Sequence, residues 1–489
     1  MKTNIEAEPT QDCPIDNPHG LARSWLSSLE GQGNTVRLVY HRGEYLRWDG
    51  AAYVPLPEGD IRSQLTAHAE REFNVAHIDA LEAWAERAEK GAKPPALQKV
   101  TTRLISDVMQ ALGGECLLSA NVNPPAWIDG TEAMPGPKTL LAMPGGVLHL
   151  RLAAAGEKPC RYRPTPNFFT RNAVGYDYDP RATAPRWMQF LTEVWGDSKS
   201  GKASIRALRQ WFGYLLTSET RRQKIFMLIG PPRSGKGTIL RVLAALLGES
   251  NVTYPELEKL ASTFAGSIFV GKTLACITDL RLGERTNKKA IVSRLLSISG
   301  EDAQYVEAKY RDGYNTRLTT RFLIVANEVP QLIDASAALA ERLVINRTAN
   351  TFTGMEDTNL TESLKAELPG ILNWTLAGLA DLDDRDEFTQ PSSGREDLRT
   401  LRDLASPVGA FLRALCQIRP DARTECSVLY EAYRKWCKQQ GHNHPLVIER
   451  FGRDLRAVEA SIISKQQRDK LTGVRKYFYR GVKLLPGSV

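Results

Sequence analysis

Apolar residues recur along this chain in two rhythms, and their alternation marks out most of its elements. Three compact runs, Ile225 to Ile229, "TLACIT" (273 to 278) and "RFLIVA" (321 to 326), have the length and continuity of strands buried on both faces. After the first of them the period lengthens: Thr238 to Leu247 repeats at helical spacing, so a strand feeds a helix through a short turn. Upstream, "TVRLVYHRGEYLRWDGAAYVPL" reads as strands and "IDALEAWAERAEKGA" as a helix, a mixed α and β region. Near the carboxyl end, "SVLYEAYRKWCKQQG" sets Leu429, Tyr433 and Trp436 on one helical face and stops at Gly441. "PLVIERFGRDLRAVEA" then turns Phe451, Leu455 and Val458 inward and Arg450, Arg453 and Arg456 outward. "RKYFYRGVKLL" supplies two short strands with Arg480-Gly481 between them.

A chain of 489 residues is too long for a single core. Two shifts in pattern suggest boundaries: a loop-like "GDSKSGKAS" at 196–204, and the acidic "DLDDRDEFTQPSSGRED" at 381–397, whose Pro, Ser and Gly resist a continuous helix. The expected organisation is a loose tail (1–20), a mixed α/β domain (21–196), an α/β core (197–390), a linker (391–405) and a carboxyl-terminal domain (406–489). No internal repeat is visible.

Composition narrows the function classes. No stretch approaches 18 uninterrupted apolar residues, so no membrane span is expected, and the first 20 residues lack the pattern of a secretory signal. Seven scattered cysteines, none in a C-x-x-C pair, point to reduced thiols, no zinc and a cytoplasmic protein. The net charge of +8 is concentrated: residues 406–489 hold 16 Lys and Arg against 7 Asp and Glu, so the remainder is close to neutral. Such a patch suits a polyanion, because Lys and Arg that neutralise phosphates release counterions. His442 and His444, with no cysteine pair beside them, read as loop residues. Asp177 and Asp179 form an acidic pair, but Pro180 and Pro185 around them argue for an irregular loop rather than a metal scaffold.

The candidate chemistry lies in "LIGPPRSGKGTILRVL" (228–243). Gly230, Gly235 and Lys236 keep the G-x-x-x-x-G-K spacing of a phosphate-binding loop around Pro231, Pro232, Arg233 and Ser234, with a strand before it and a helix after it. Backbone N–H groups and the helix amino terminus would face the phosphates, and Lys236 would reach the β and γ oxygens. The next residue is Gly237, so the hydroxyl that ligates Mg²⁺ comes from Thr238, ahead of Ile239, or from water and other groups. The GKGT spelling also occurs in adenylate kinases, which keeps nucleotide phosphorylation open. Asp279 follows the second apolar strand, where a carboxylate holds Mg²⁺. Asn327 ends the third, placed either to orient an attacking water or simply to turn the chain before Pro330. Arg342 precedes a further strand and could reach a neighbouring subunit's γ-phosphate. In "YVEAKYRDGYNTR", Asp312-Gly313 is a hairpin-turn signal.

Taken in order, residues 230 to 391 resemble the superfamily 3 helicases of phages, plasmids and satellite elements, often described as phage/plasmid primase-helicases. The resemblance is carried by the loop, "CITDLRL" (276–282), "LLSISGEDAQYVEAKY" (295–310), "TTRFLIVANEVPQLIDASAALAERLVI" (319–345) and "EDTNLTESLKAELPGILNWTLAGL" (356–379). "HRGEYLRWDGAAYVPL" and "YDYDPRATAPRWMQFL" look like the segment ahead of the motor in that family. The resemblance implies an AAA-type P-loop ATPase core, a winged-helix carboxyl domain, and Mg-ATP hydrolysed between subunits of a ring, usually a hexamer, that moves on single-stranded DNA. It assigns Lys236 and Thr238 to phosphate and metal, Asp279 to Walker B, Asn327 to the sensor and Arg342 to the finger, with Glu341 in place of a second arginine. Asp279 is a lone acid there, which leaves Glu284, Glu301 and Asp302 as candidates for the water-activating base. It further implies that the hairpin at 305–317 grips DNA, with Lys309 and Arg311 on phosphates and Tyr310 or Tyr314 stacked on a base, and that origin DNA is a partner, bound through Arg450, Arg453, Arg456, Lys476 and Arg480, with host primase or polymerase as possible contacts. With fewer than 200 residues before the motor core, primer synthesis is not expected. The alternative to a motor is an origin-binding initiator whose ATPase controls assembly and hands the fork to a host helicase.

Overall fold

A computed structural model describes residues 15–30, 37–87, 92–129, 134–278, 287–308, 311–329, 337–348, 350–355, 357–441, 445–468 and 475–486. The chain is mixed α/β and is organised around one parallel sheet.

The amino-terminal region begins with α1 (Pro18–Glu30), already helical inside the expected tail, and the antiparallel sheet β1 (Leu38–His41), β2 (Glu44–Trp48) and β3 (Tyr53–Pro55). Helices α2 (Glu58–Arg87) and α3 (Thr102–Glu115) pack with α1 over a core of Trp25, Leu65, Phe73 and Leu112. A second small-sheet layer follows: β4 (Ala126–Trp127), β5 (Leu140–Met143), β6 (Gly146–His149), α4 (Leu150–Ala155), β7 (Arg161–Tyr162) and β8 (Phe168–Phe169), with β4 paired to β8 and β5, β6 and β7 in order. Then come α5 (Pro185–Trp195) and α6 (Lys199–Leu216). The expected loop at 196–204 is therefore mostly helix. Ser198 caps α6 by accepting the Gly201 N–H at 3.1 Å, and the cap lets a Ser/Gly/Lys-rich stretch start a helix.

The central sheet contains β9 (Ile225–Ile229), followed by α7 (Lys236–Leu247), and β10 (Val252–Thr253) and β11 (Leu274–Ile277). After α8 (Lys288–Ser299) come the hairpin β12 (Ala303–Ala308) and β13 (Arg311–Arg317), then β14 (Arg321–Ala326), α9 (Ala337–Arg342) and β15 (Leu343–Arg347). The strand order is β10-β11-β14-β9-β15, all parallel. The three apolar runs of the sequence thus become β9, β11 and β14, buried at every position. Alternation appears in where their side chains go: Phe226 and Leu228 join the core under α6, while Ile225, Met227 and Ile229 join the opposite one under α8. Trp211 stacks on Phe226 with ring centres 5.3 Å apart.

Helices α10 (Leu360–Lys365) and α11 (Leu368–Arg385) complete the first face, and α12 (Ser392–Ala405) lies along the edge strand β15. As expected, the acidic segment 381–397 is not one continuous helix, since 386–391 separate α11 from α12; but the expected linker at 391–405 is almost entirely the helix α12. Asp381 is an internal acceptor for Arg206 and Gln210, and Asp397 pairs with Arg347 at 2.6 Å. The side-chain amide of Gln390 bonds both backbone groups of Ile345 in β15, accepting at 3.4 Å and donating at 2.8 Å. At the start of β14, the buried Arg321 donates to the Leu215, Thr217 and Thr319 carbonyls at 2.6–2.7 Å, joining the sheet to the end of α6.

The carboxyl-terminal part runs α13 (Pro407–Leu415), β16 (Cys416–Glu425), α14 (Cys426–Gln439), α15 (Ile448–Val458), β17 (Ile463–Arg468) and β18 (Arg475–Leu484), with the sheet order β16-β18-β17. Leu429, Tyr433, Trp436, Phe451 and Leu455 form its core, as the helical spacing implies. Val458, expected inward, is exposed at the end of α15. "RKYFYRGVKLL" is one strand, not two: β18 passes straight through Arg480-Gly481, and β17 and β18 are joined by residues 469–474, outside the described residues.

Candidate functional site

The turn between β9 and α7 sits where the sheet order reverses, with β14 on one side of β9 and β15 on the other. In open parallel sheets, ligands bind in the crevice at the carboxyl ends of such strands. The loop shape is enforced locally. Gly235 precedes α7 at φ 87°, and a Cβ there would also crowd Val194 and Phe190 of α5 at 3.0–3.1 Å. A Cβ on Gly230 would lie 1.8 Å from Thr348 Oγ1. Thr348 in turn sits 2.7 Å from Ser234 Oγ, so the segment after β15 fastens the loop from beneath.

Lys236 is only 7% exposed. Its Nζ donates to the Gly230 and Pro231 carbonyls at 2.6 and 2.7 Å, and burial holds its pKa below the ordinary lysine value. An ammonium held by loop carbonyls, with no carboxylate partner among the described residues, is a charge placed to meet an anion. Beside it opens a cavity of about 470 Å³ lined by loop residues 232–238, Asn327 and Val325 at the end of β14, and Arg241 of α7. The structure thus brings Lys236, Thr238 and Asn327 to one space. Thr238 Oγ1 accepts from Arg241 Nη2 at 3.1 Å. A Cβ at Gly237 would meet only Arg241 Nη1, at 3.4 Å, so glycine is not sterically required there.

Other predicted residues fall elsewhere. Asp279 and Glu284 lie outside the described residues, as do Lys309, Tyr310, His442 and His444. Glu301 accepts from Thr220 Oγ1, and neither it nor Asp302 lines the cavity. Arg342 donates to the Leu296 carbonyl and to Ser299 Oγ (2.8 Å) at the end of α8 and does not line the cavity. Asp177 accepts the Gly145 N–H at 2.7 Å and pairs with Arg161 at 3.3 Å, tying its loop to the β5–β6 turn, while Asp179 accepts the Arg181 N–H at 2.9 Å within its own turn. Among the described residues no group of three or more His, Cys, Asp or Glu is arranged to hold a metal.

Sequence reading missed one wall of the cavity. Arg186, Phe190 and Glu193 of α5 line it, with Phe352, Met355, Asp357 and Leu360 from the segment after β15. Glu193 is bridged by Arg186 at 3.2 Å and Gln189 at 2.9 Å. The helical stripe of α5 is legible in the sequence, but not which of its off-stripe residues border a loop some 40 residues later. Phe190, Phe352, Met355 and Leu360 give this wall an apolar part beside the charged Arg186, Glu193 and Asp357, facing the glycine-rich loop.

The hairpin is present, with its turn shifted. Ala308 pairs with Arg311, so the strands are joined through residues 309–310, outside the described residues, and Asp312-Gly313 lies within β13. Tyr314 carries the Arg42 guanidinium 4.6 Å above its ring. In the carboxyl-terminal part Arg450, Arg453 and Arg456 are all exposed on α15, and Arg480 on β18; Lys476 pairs with Glu425 at 3.1 Å.

Fold and site define an α/β protein with a glycine-rich loop at the switch point of a parallel sheet. Residues 22–196 match the family described as D5 N terminal like, and residues 228–342 match a family of unknown function, DUF5906. The apo structure of the NrS-1 C terminal region (305-718) is similar over 96% of this chain and 99% of that one, at 13% identity and a TM-score of 0.50. Its A form apo structure matches at 11% identity and a TM-score of 0.48, covering 95% of this chain and 99% of that chain. At such identity the likeness concerns the fold. No helix among the described residues is long and apolar enough to cross a membrane.

Proposed function

We propose that this protein is an ATP-dependent DNA helicase of a phage, plasmid or satellite element, a ring in which Mg-ATP hydrolysis drives movement along single-stranded DNA. The observation that carries the reading is the buried Lys236, its Nζ on the Gly230 and Pro231 carbonyls at the mouth of the 470 Å³ cavity. The sheet order, with the loop strand between β14 and β15, supports an AAA-type core. The order α13, β16, α14, α15, β17, β18 supports a winged-helix domain with α15 as its DNA-reading helix.

The residues present fit a nucleotide. Lys236 would exchange loop carbonyls for β and γ oxygens, the α7 amino terminus would face the phosphates, and the base would lie against Phe190, Phe352 and Met355. Thr238, with Asp279, would hold the Mg²⁺, which supplies charge neutralisation at the transferred phosphoryl group. Asn327 would orient the attacking water, and Arg342 would act on the neighbouring subunit's site. Its bonds to α8 set where that arginine starts from.

The test is ATP hydrolysis by the pure protein with and without single-stranded DNA, alongside Lys236→Ala and Arg342→Ala and their mixture. Stimulation by DNA, two inactive variants and partial recovery on mixing are expected, with unwinding of a forked duplex. Hydrolysis that ignores DNA and survives loss of Arg342 overturns the motor and leaves an ATP-controlled, origin-binding initiator. Phosphorylation of a nucleoside monophosphate would instead identify a kinase.

A further inference from the structure

The turn joining β1 to β2 is made of Arg42 and Gly43, between the paired His41 and Glu44, and both turn residues have positive φ, 53° and 76°. That is the signature of a type I′ turn, whose first position favours Asn or Gly; an arginine there holds a left-handed backbone that its Cβ disfavours. Strain of this kind persists where surrounding contacts over-determine it. Arg42 has such contacts, and they reach across the molecule. Its Nε and Nη2 donate to the Ala120 carbonyl at 2.9 and 2.8 Å, and Nη2 also donates to Asn123 Oδ1 at 2.6 Å. Nη1 reaches Thr316 Oγ1 of β13 at 3.4 Å, and the guanidinium covers the Tyr314 ring.

Two further contacts make this a junction rather than one bond. Thr316 Oγ1 also donates to Asn123 Oδ1 at 3.1 Å, and the His41 ring bonds the Val122 carbonyl at 3.0 Å. Thr316 is buried, and a cavity of about 250 Å³ runs beside the contact, lined from both sides by His41, Arg171, Tyr314 and Arg317. The hairpin's other flank rests on residues 263–269 of the core. A two-stranded hairpin is marginal by itself, so its orientation depends on these supports.

We propose that Arg42 is a positioning residue that braces the β12–β13 hairpin against the amino-terminal domain, so that DNA engaged by the hairpin is felt at the nucleotide site only while this brace is closed. The inference rests on the hairpin's role as a DNA-contacting element. Arg42 lies outside the nucleotide cavity, so its loss leaves hydrolysis without DNA unchanged.

The experiment uses the full chain with Arg42→Gly, Arg42→Ala and Arg42→Lys. Glycine suits the positive φ and relieves the strain, so this variant keeps the fold while removing the side chain. Two readouts are taken: amide hydrogen exchange over 303–317, and ATP hydrolysis with and without single-stranded DNA. For Arg42→Gly the hairpin amides are expected to exchange about tenfold faster, as for one or two lost hydrogen bonds, with β9 and β14 unchanged. Stimulation by DNA is expected to fall about fivefold or more, the range of a coupling free energy, with hydrolysis in the absence of DNA intact. Lysine keeps the charge over Tyr314 but not the bridge to Asn123 and Thr316, and is expected to restore only part of the stimulation. Unchanged hairpin exchange in Arg42→Gly and Arg42→Ala overturns the brace. Faster exchange with full DNA stimulation overturns the coupling. A wild type that DNA does not stimulate overturns the motor reading instead, and the exchange experiment still decides whether the brace exists.

Discussion

Lys236 and the arginines of α15 carry the same charge and, in the proposed function, meet the same kind of ligand, yet they stand in opposite surroundings. Lys236 is buried and held at two carbonyls by a loop that tolerates no side chain at Gly230; Arg450 and Arg453 project from an exposed helix face. The first arrangement places one charge in one geometry, so that under the proposed function removing it should abolish hydrolysis. The second spreads affinity over several solvated groups, each contributing little and all weakened by salt. Arg321 and His41 belong with Lys236 as buried basic groups, but they serve the fold.

Four measurements bear on this contrast. Lys236→Ala is expected to lower ATP hydrolysis by about 100-fold or more with the thermal transition little changed, because the transition-state charge loses its fixed partner. Near-normal turnover would break the comparison at its strongest point. Arg321→Met keeps the volume but strips three carbonyls of their donor, and denaturant unfolding is expected to show a loss of about 2–4 kcal/mol. A neutral result would mean that the carbonyls find water.

His41 supplies a pH test. Burial, reinforced by Arg42 and Arg171, pulls its pKa from 6.5 to about 4. The unfolded imidazole takes up a proton near pH 6.5 and the folded one only near 4, so stability is full above 6.5 and falls as pH drops toward 4. Between pH 7 and 5 the loss is roughly 1–2 kcal/mol, read from the melting curve, and His41→Asn should flatten it. The smallest effect is expected on α15. Arg450→Ala or Arg453→Ala should weaken binding to duplex DNA a few fold and reduce the slope of log affinity against log salt by about 1 each. A loss as large as that of Lys236→Ala in its assay would sharpen the picture, making one of them a direct base reader.

The loop is legible in the sequence because its signals are local. Gly230, Gly235 and Lys236 stand at fixed offsets, and the strand and helix around them follow from continuous apolar runs and helical spacing. Local signals mislead where a competing partner is remote. Asp312-Gly313 has turn chemistry but is overruled by a register that pairs Ala308 with Arg311, and Arg480-Gly481 is absorbed into a strand paired on both sides. The segments at 196–204 and 381–397 look like a loop and a linker by their Gly, Ser and Pro content. The Ser198 cap and the Asp381 and Asp397 ion pairs make most of them helical. The α5 wall of the cavity and the Arg42 contacts join residues far apart in sequence, and no spacing rule reaches them.

Gln390 has a consequence for how the protein behaves when it is made. An outermost parallel strand offers a row of unpaired amides and carbonyls to any other chain, and β15 is such a strand; the Gln390 amide occupies one donor and one acceptor of it, and α12 packs along it. That cover is supplied by residues translated after the sheet is complete. Until they dock, or in any version cut before residue 390, two nascent copies can add to each other edge to edge. The yield of soluble material as a function of where the chain is cut would therefore step upward once Gln390 and α12 are included, well before the basic carboxyl-terminal domain has been added.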